Sequence, residues 1–237
     1  MDGIKNALKL TMILLLSAST VHAAGNTNVV VMLGDSTTLC NGNKPGAKLT
    51  DYVQTYLTQE HLQARIVNSG VGGDTAKGGF GRLQSAVLGH DPAVVTISFG
   101  LNDTGVFTPD EYREWMEQIV QSIQTNSRAK ILLITSTPFN NERHMWKDKF
   151  RAKGGLDEYM DANICAAVRA LAKKYNLPLC DLHGHFTAQF KKDSQLIDEL
   201  ISPDGVHLTD QGNDVAAKYV APYIEGLLAK PDNNRKK

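Results

Sequence analysis

Four short polar stretches carry residue types suited to acyl-transfer chemistry. "VVVMLGDSTTLC" (29–40) ends an apolar run at Gly34-Asp35-Ser36 and presents a serine hydroxyl. "NSGVGGDT" (68–75) is rich in glycine, and "GLND" (100–103) offers the Asn102 amide. "SPDGVHLTDQG" (202–212) holds Asp204 three residues before His207. A serine hydroxyl is a weak nucleophile until a base takes its proton, and histidine is the usual base. The imidazole needs an orienting acceptor on its other nitrogen, and a tight turn can bring the Asp204 carboxylate there. An oxyanion formed on attack needs fixed donors. The Ser36 N–H, an N–H of the glycine loop and the Asn102 side chain would supply three.

These stretches need a scaffold that gathers them. Continuous apolar runs at 28–34, 64–69, 93–99, 130–136 and 177–182 read as strands buried on both faces. Helical patterns lie between them. Leu49, Tyr52, Val53, Tyr56 and Leu57 share one helix face. Thr108-Pro109-Asp110-Glu111 is a capping box with proline at the first helical position, opening a helix to about Gln124. Residues 156–175 form another helix, and Thr209 caps a last one through Leu228. The alternation predicts an α/β fold: a three-layer α/β/α sandwich around a five-stranded parallel sheet in the flavodoxin-like order 2-1-3-4-5. In such sheets ligands bind at the carboxyl ends of the strands, where the order reverses. The polar stretches after strands 1, 2 and 3 become neighbours there.

The ordered set GDS, N-x-G-x-G-G-D-T, G-x-N-D and D-x-x-H resembles the SGNH hydrolases, also called the GDSL esterase/lipase superfamily, and spans residues 29–215. Any one of these motifs is weak; four in order, each after the right element, are specific. The resemblance implies Ser36 as nucleophile, His207 as base and Asp204 as its orienting partner. It implies an oxyanion hole of the Ser36 N–H, the Gly73 N–H and the Asn102 side chain, with no cofactor and no metal. Gly70, Gly72 and Gly73 crowd the second motif; Gly73 is preferred because it immediately precedes Asp74-Thr75. "GDST" at 34–37 resembles the rhamnogalacturonan acetylesterase branch, a hint carried by Thr37 alone.

Blander roles compete for the same residues. Ser36 would also suit a helix N-cap, although the apparent helix begins later, near Gly46. Asp35 reads as a brace for its own loop, and Asp103 as a structural turn residue. His183 and His185 follow strand 5 onto the same sheet edge, with Asp181 as a candidate orienter. They also suggest a metal site, but no third ligand stands at a convincing spacing. His61 and His90 precede strands and belong to the opposite edge. The combined pattern favours His207. The glycine loop lacks G-x-x-x-x-G-K-[ST], which argues against phosphate binding. The long connection at 137–160 either brings Trp146, Phe150 and Arg151 to the site or packs locally as a surface excursion.

The 237 residues are 42% hydrophobic and 21% charged, with 25 basic and 25 acidic residues, so no field favours nucleic acid. Residues 1–24 read as a signal peptide: Lys5 and Lys9, an apolar stretch from Leu10 to Leu16, then Val21-His22-Ala23. That apolar core is too short to span a bilayer, and no cysteine at the cleavage site suggests a lipid anchor. The expected organisation is a signal peptide (1–24), one SGNH domain (25–230) and a basic tail (231–237), in a secreted or periplasmic protein. Cys40, Cys165 and Cys180 read as buried apolar residues, with a Cys165–Cys180 bridge open. The expected partner is a small-molecule or polysaccharide ester, most simply an acetyl ester of a carbohydrate, with no stable membrane anchor. A general short-chain carboxylesterase, a lysophospholipase or a thioesterase is the alternative, and an inactive glycan-binding domain a remote one. No G-x-S-x-G elbow occurs, which excludes an α/β-hydrolase.

Overall fold

A computed structural model describes residues 28–229. The expected signal peptide and basic tail lie outside the described residues. Five strands, β1 (Asn28–Gly34), β2 (Ala64–Gly70), β3 (Val94–Ser98), β4 (Lys130–Ile134) and β5 (Leu179–Cys180), form one sheet in the order β2-β1-β3-β4-β5, every pair parallel. This is the predicted order. Among the described residues, no helix is long and apolar enough to cross a membrane.

The alternation along each strand builds two cores. Val31 and Leu33 of β1, Val95 and Ile97 of β3, and Ile131 and Leu133 of β4 face helices Pro109–Asn126 and Ala166–Tyr175. Val30, Met32, Val94, Leu132 and Ile134 face helices Leu49–Gln59, Leu182–Lys192 and Asp210–Ala229. Apolar residues on both sheet faces require helices on both, which is why the strands read as unbroken apolar runs. Each fully buried aliphatic side chain contributes roughly 1.5–3 kcal/mol of transfer free energy.

The helix at Pro109–Asn126 starts where its capping box says. Thr108 Oγ1 accepts from the Glu111 N–H, and the Glu111 carboxylate accepts from the Thr108 N–H. Thr209 Oγ1 accepts from the Gly212 N–H at the start of the last helix.

Two helix expectations need correction. A short helix, Ser36–Leu39, begins directly at the serine, and its N-cap is Asp35, not Ser36. The helix expected over 156–175 is broken into Leu156–Met160, a π-helical turn Asp161–Cys165, and Ala166–Tyr175. Cys165 and Cys180 are separate buried thiols, so the bridge left open is not formed. β5 is also shorter than its apolar run. It is an edge strand, Pro178 has no N–H to give a ladder, and Asp181 already caps the next helix by accepting from Gly184.

Register decides where the site falls. Gly34 pairs with Gly70 on one side and with Ser98 on the other, so β1, β2 and β3 end level with one another. The polar stretches that follow them start from one edge, at the switch point between β1 and β3.

Candidate active site

Ser36 is half-buried at the first position of its short helix. Asp35, fully buried, accepts through Oδ1 from the Thr37 N–H at 2.9 Å and the Thr37 hydroxyl at 2.8 Å. Burial pushes the Asp35 pKa up to about 6, against the hydrogen bonds from Thr37. Asp35 thus holds the turn that presents Ser36, as its reading as a brace expected.

His207 Nε2 lies 2.8 Å from Ser36 Oγ, and His207 Nδ1 lies 2.7 Å from Asp204 Oδ2. Asp204 Oδ1 accepts the N–H groups of Val206 at 2.9 Å and His207 at 3.0 Å. Burial alone would raise the Asp204 pKa, but hydrogen bonds from the His207 ring and from these two amides bring it below the ordinary value. An ionised carboxylate only accepts, so Nδ1 carries the imidazole proton and Nε2 turns its lone pair toward Ser36 Oγ.

The loop bearing this pair is closed at its base by the bridge Ile201–Leu208 and by the Ser202 N–H donating to the His207 carbonyl at 2.7 Å. Gly205 sits at φ +78°, in the left-handed region that favours glycine. A Cβ there would also stand 2.7 Å from the His144 nitrogen.

Asn102 Nδ2 donates to the Asp74 carbonyl at 2.8 Å, which uses one of its two N–H groups. That bond ties Asn102 to the turn holding Gly73, which is exposed at φ +73°. Among the described residues, no protein acceptor takes up the Ser36 or Gly73 N–H. Asp103 is buried below. Its Oδ1 accepts the Ala76 N–H at 2.9 Å, its Oδ2 has no partner, and burial pushes its pKa up to about 7.

Arg82 was not singled out by any sequence pattern, yet it binds this edge together. Nε donates to Asp74 Oδ2 at 2.8 Å, Nη1 to the Ser69 carbonyl at 2.9 Å and Nη2 to the Gly34 carbonyl at 2.9 Å. One planar guanidinium therefore fixes the ends of β1 and β2 and the turn after Gly73.

The competing histidines go elsewhere. His183 is buried between Asp157 and Asp161, and Asp181, its candidate orienter, is held by both arms of Arg169 at 2.8 and 2.9 Å. His185 stacks on Tyr219 at 3.8 Å. The third ligand-type group missing from the sequence pattern is present in space: ligand atoms of Asp161, Cys165 and His183 lie within 4.8 Å of one another. Asp161 is paired there with Arg169, and burial pushes the Cys165 pKa well up, so the thiol keeps its proton.

The 137–160 segment does both things expected of it. Trp146 reaches the site, where Phe139, Arg143, His144 and Met145 join it along a cleft of about 450 Å³ over Ser36, Asn102 and His207. Phe150 is buried in the core, and Arg151 pairs with Asp148 in solvent. His144, on the same segment, is buried along the cleft.

Residues 32–215 match the sequence profile of the GDSL-like lipase/acylhydrolase family. The chain belongs to that family. Like its GDSL-family relatives it is a serine ester hydrolase. It is 29% identical over 204 residues to the uncharacterized lipoprotein YqeF of Bacillus subtilis, covering 77% of this chain and 84% of that one. It is 24% identical over 165 residues to thioesterase 1/protease 1/lysophospholipase L1 of Escherichia coli, covering 69% and 68%. Among solved structures, the lipase/acylhydrolase from Enterococcus faecalis superposes with a TM-score of 0.68 at 25% identity, over 84% of this chain and 96% of that one. An acetyl xylan esterase, AlAXEase, shares the fold with a TM-score of 0.68 at 23% identity, over 83% and 99%.

Proposed function

We propose that this hydrolase is an exported esterase that removes short acyl groups, acetyl foremost, from carbohydrates. The observation that carries the chemistry is the chain of contacts Ser36 Oγ–His207 Nε2–Asp204, at 2.8 and 2.7 Å. Ser36 Oγ attacks the ester carbonyl as its proton passes to His207 Nε2. The tetrahedral oxyanion is held by the Ser36 and Gly73 N–H groups and the free N–H of Asn102. His207 then protonates the leaving alcohol oxygen. Water enters, gives a proton to the same nitrogen and attacks the acyl-enzyme, and the acid leaves with Ser36 restored.

The acyl preference rests on "GDST" at 34–37. Export rests on the features of residues 1–24. A second reading, a general short-chain carboxylesterase, lysophospholipase or thioesterase, is favoured by Met145, 84% exposed on the cleft rim, which would suit a longer acyl chain.

Fluorophosphonate labelling of wild type and Ser36→Ala tests the nucleophile; a wild type that binds glycan but never labels would make the protein a glycan-binding domain. Acetate release from acetylated polysaccharides, with aryl acetate compared against aryl octanoate, tests the substrate. A clear preference for octanoate with no acetate released would overturn the acetyl reading.

A further inference from the structure

Around Ser36 and His207 the cleft is lined largely by apolar side chains, Leu101, Phe139, Met145, Trp146 and Val206, with Arg143 paired to Asp198. One polar ring is set among these side chains. His144 is 7% exposed, with its ring 4.8 Å from that of Phe139 and 5.0 Å, edge-on, from that of Trp146. The Trp146 N–H donates to His144 Nδ1 at 3.2 Å. Burial lowers the pKa of His144, with the nearby His207 acting in the same direction and Asp204 opposing. A neutral imidazole whose Nδ1 accepts a backbone N–H carries its own proton on Nε2. Among the described residues, no acceptor takes that proton.

Besides Arg143, whose guanidinium is paired with Asp198, the cleft therefore offers one uncharged ring donor among apolar side chains, beside Ser36 and separate from the proposed oxyanion donors. A sugar ring has matching surfaces: C–H faces to lie on Trp146 and oxygens to accept from Nε2–H. A plain aryl or alkyl alcohol has the first and lacks the second, and leaves the donor unpaired when it displaces water.

We propose that His144 is a specificity-determining residue that donates from Nε2–H to a ring or hydroxyl oxygen of the alcohol half of the substrate, so that the enzyme selects esters of polyols. This rests on the carbohydrate-ester reading above and assigns part of its selectivity to one side chain.

The test compares wild type, H144F and H144Q on a partly acetylated xylo-oligosaccharide and on 4-nitrophenyl acetate. Circular dichroism verifies the fold of each protein. In H144F, the ratio of kcat/KM for the sugar ester to that for the aryl ester falls about tenfold or more, the size of one lost hydrogen bond in a shielded site, and most of the fall is in KM. H144Q, whose amide can place a donor near Nε2, recovers a large part of the ratio. An unchanged ratio in H144F overturns the proposal, as does an equal fall in H144F and H144Q, which would assign the ring to packing. If H144F does not fold, H144M takes its place with the same expectation. A wild type that cleaves the aryl ester but no sugar ester defeats the carbohydrate reading and this proposal together. A wild type active on both, with an unmoved ratio in the variant, defeats this proposal alone.

Discussion

His207 and His183 are both flanked by aspartate, and their surroundings separate them. His207 has one carboxylate at 2.7 Å from Nδ1, a serine hydroxyl at 2.8 Å from Nε2, and a side chain 41% exposed to the cleft. His183 has Asp157 3.2 Å from Nε2, Asp161 3.3 Å from Nδ1 without hydrogen-bond alignment, and a side chain 3% exposed. On the proposed mechanism a proton on His207 comes from the Ser36 hydroxyl it faces and goes to a leaving group. A proton on His183 lies between two fixed carboxylates, with no reacting group to receive it. An aspartate near a histidine therefore does not make a base; what the other nitrogen faces does. Asp157 also accepts the Phe139 N–H at 2.7 Å, so His183 ties the 137–160 segment to helix Leu182–Lys192.

Removing each ring separates the two roles most sharply. His207→Ala should lower kcat by on the order of 10⁴–10⁶ while leaving the urea midpoint close to wild type, because its ring is partly exposed and Asp204 keeps the Val206 and residue-207 N–H groups. His183→Ala should cost about 2–3 kcal/mol in urea unfolding by emptying the space of a buried ring and removing its hydrogen bond to Asp157, with kcat of the folded enzyme within about threefold of wild type. Wild-type stability combined with a large loss of kcat in His183→Ala would put that ring in the chemistry and end the distinction.

Asn102→Ala carries the next largest effect. On the proposed mechanism it removes an oxyanion donor, and should cost about 10²–10³ in kcat with little change in KM. An equal rise in KM and unchanged kcat would make Asn102 a binding residue instead.

The sequence shows which residues gather at the candidate site better than it shows what holds them there. Ser36, Gly73, Asn102 and the Asp204/His207 pair follow strand ends or share one tight loop, so local pattern finds them. The strands and their order were legible because buried parallel strands are unbroken apolar runs. Arg82 was not, because the acceptors of its guanidinium belong to three separate segments, around Gly34, Ser69 and Asp74. The cap at Asp35 was hidden because the helix it starts, Ser36–Leu39, is too short to show periodicity. The π turn at Asp161–Cys165 interrupts a helix whose apolar spacing runs on through it. Asp157 and Asp161 reach His183 only through tertiary folding.

The same contrast, between groups that touch the reacting atoms and groups that fix them, predicts a smaller effect at Arg82. Arg82→Lys keeps a cation but cannot serve the Gly34 and Ser69 carbonyls and Asp74 at once. With Ser36 and the Gly73 turn less firmly registered, kcat should fall about tenfold while KM stays near wild type. Steady-state kinetics on an aryl acetate measures this, and a fall confined to KM would remove Arg82 from the positioning of the oxyanion donors.

Carboxylates sharpen the contrast once more. Asp204 is partly exposed and its pKa is held low by donors, whereas Asp103 is sealed beneath Asn102 with one oxygen unpartnered and its pKa pushed up to about 7 by burial. A folded-state value above the unfolded one means that the folded protein binds more protons between about pH 4 and pH 7, so this group's contribution to stability falls as pH rises through that window. Asp103→Asn keeps an oxygen for the Ala76 N–H and has no charge to bury. The variant should match wild type near pH 4 and exceed it at pH 8 by roughly 1–2 kcal/mol, less than the full shift implies because Asp35 titrates nearby and shares the window. Urea unfolding at the two pH values measures the difference. A variant that loses stability equally at both would show that Asp103 is ionised and satisfied in the folded protein, and the contrast with Asp204 would vanish.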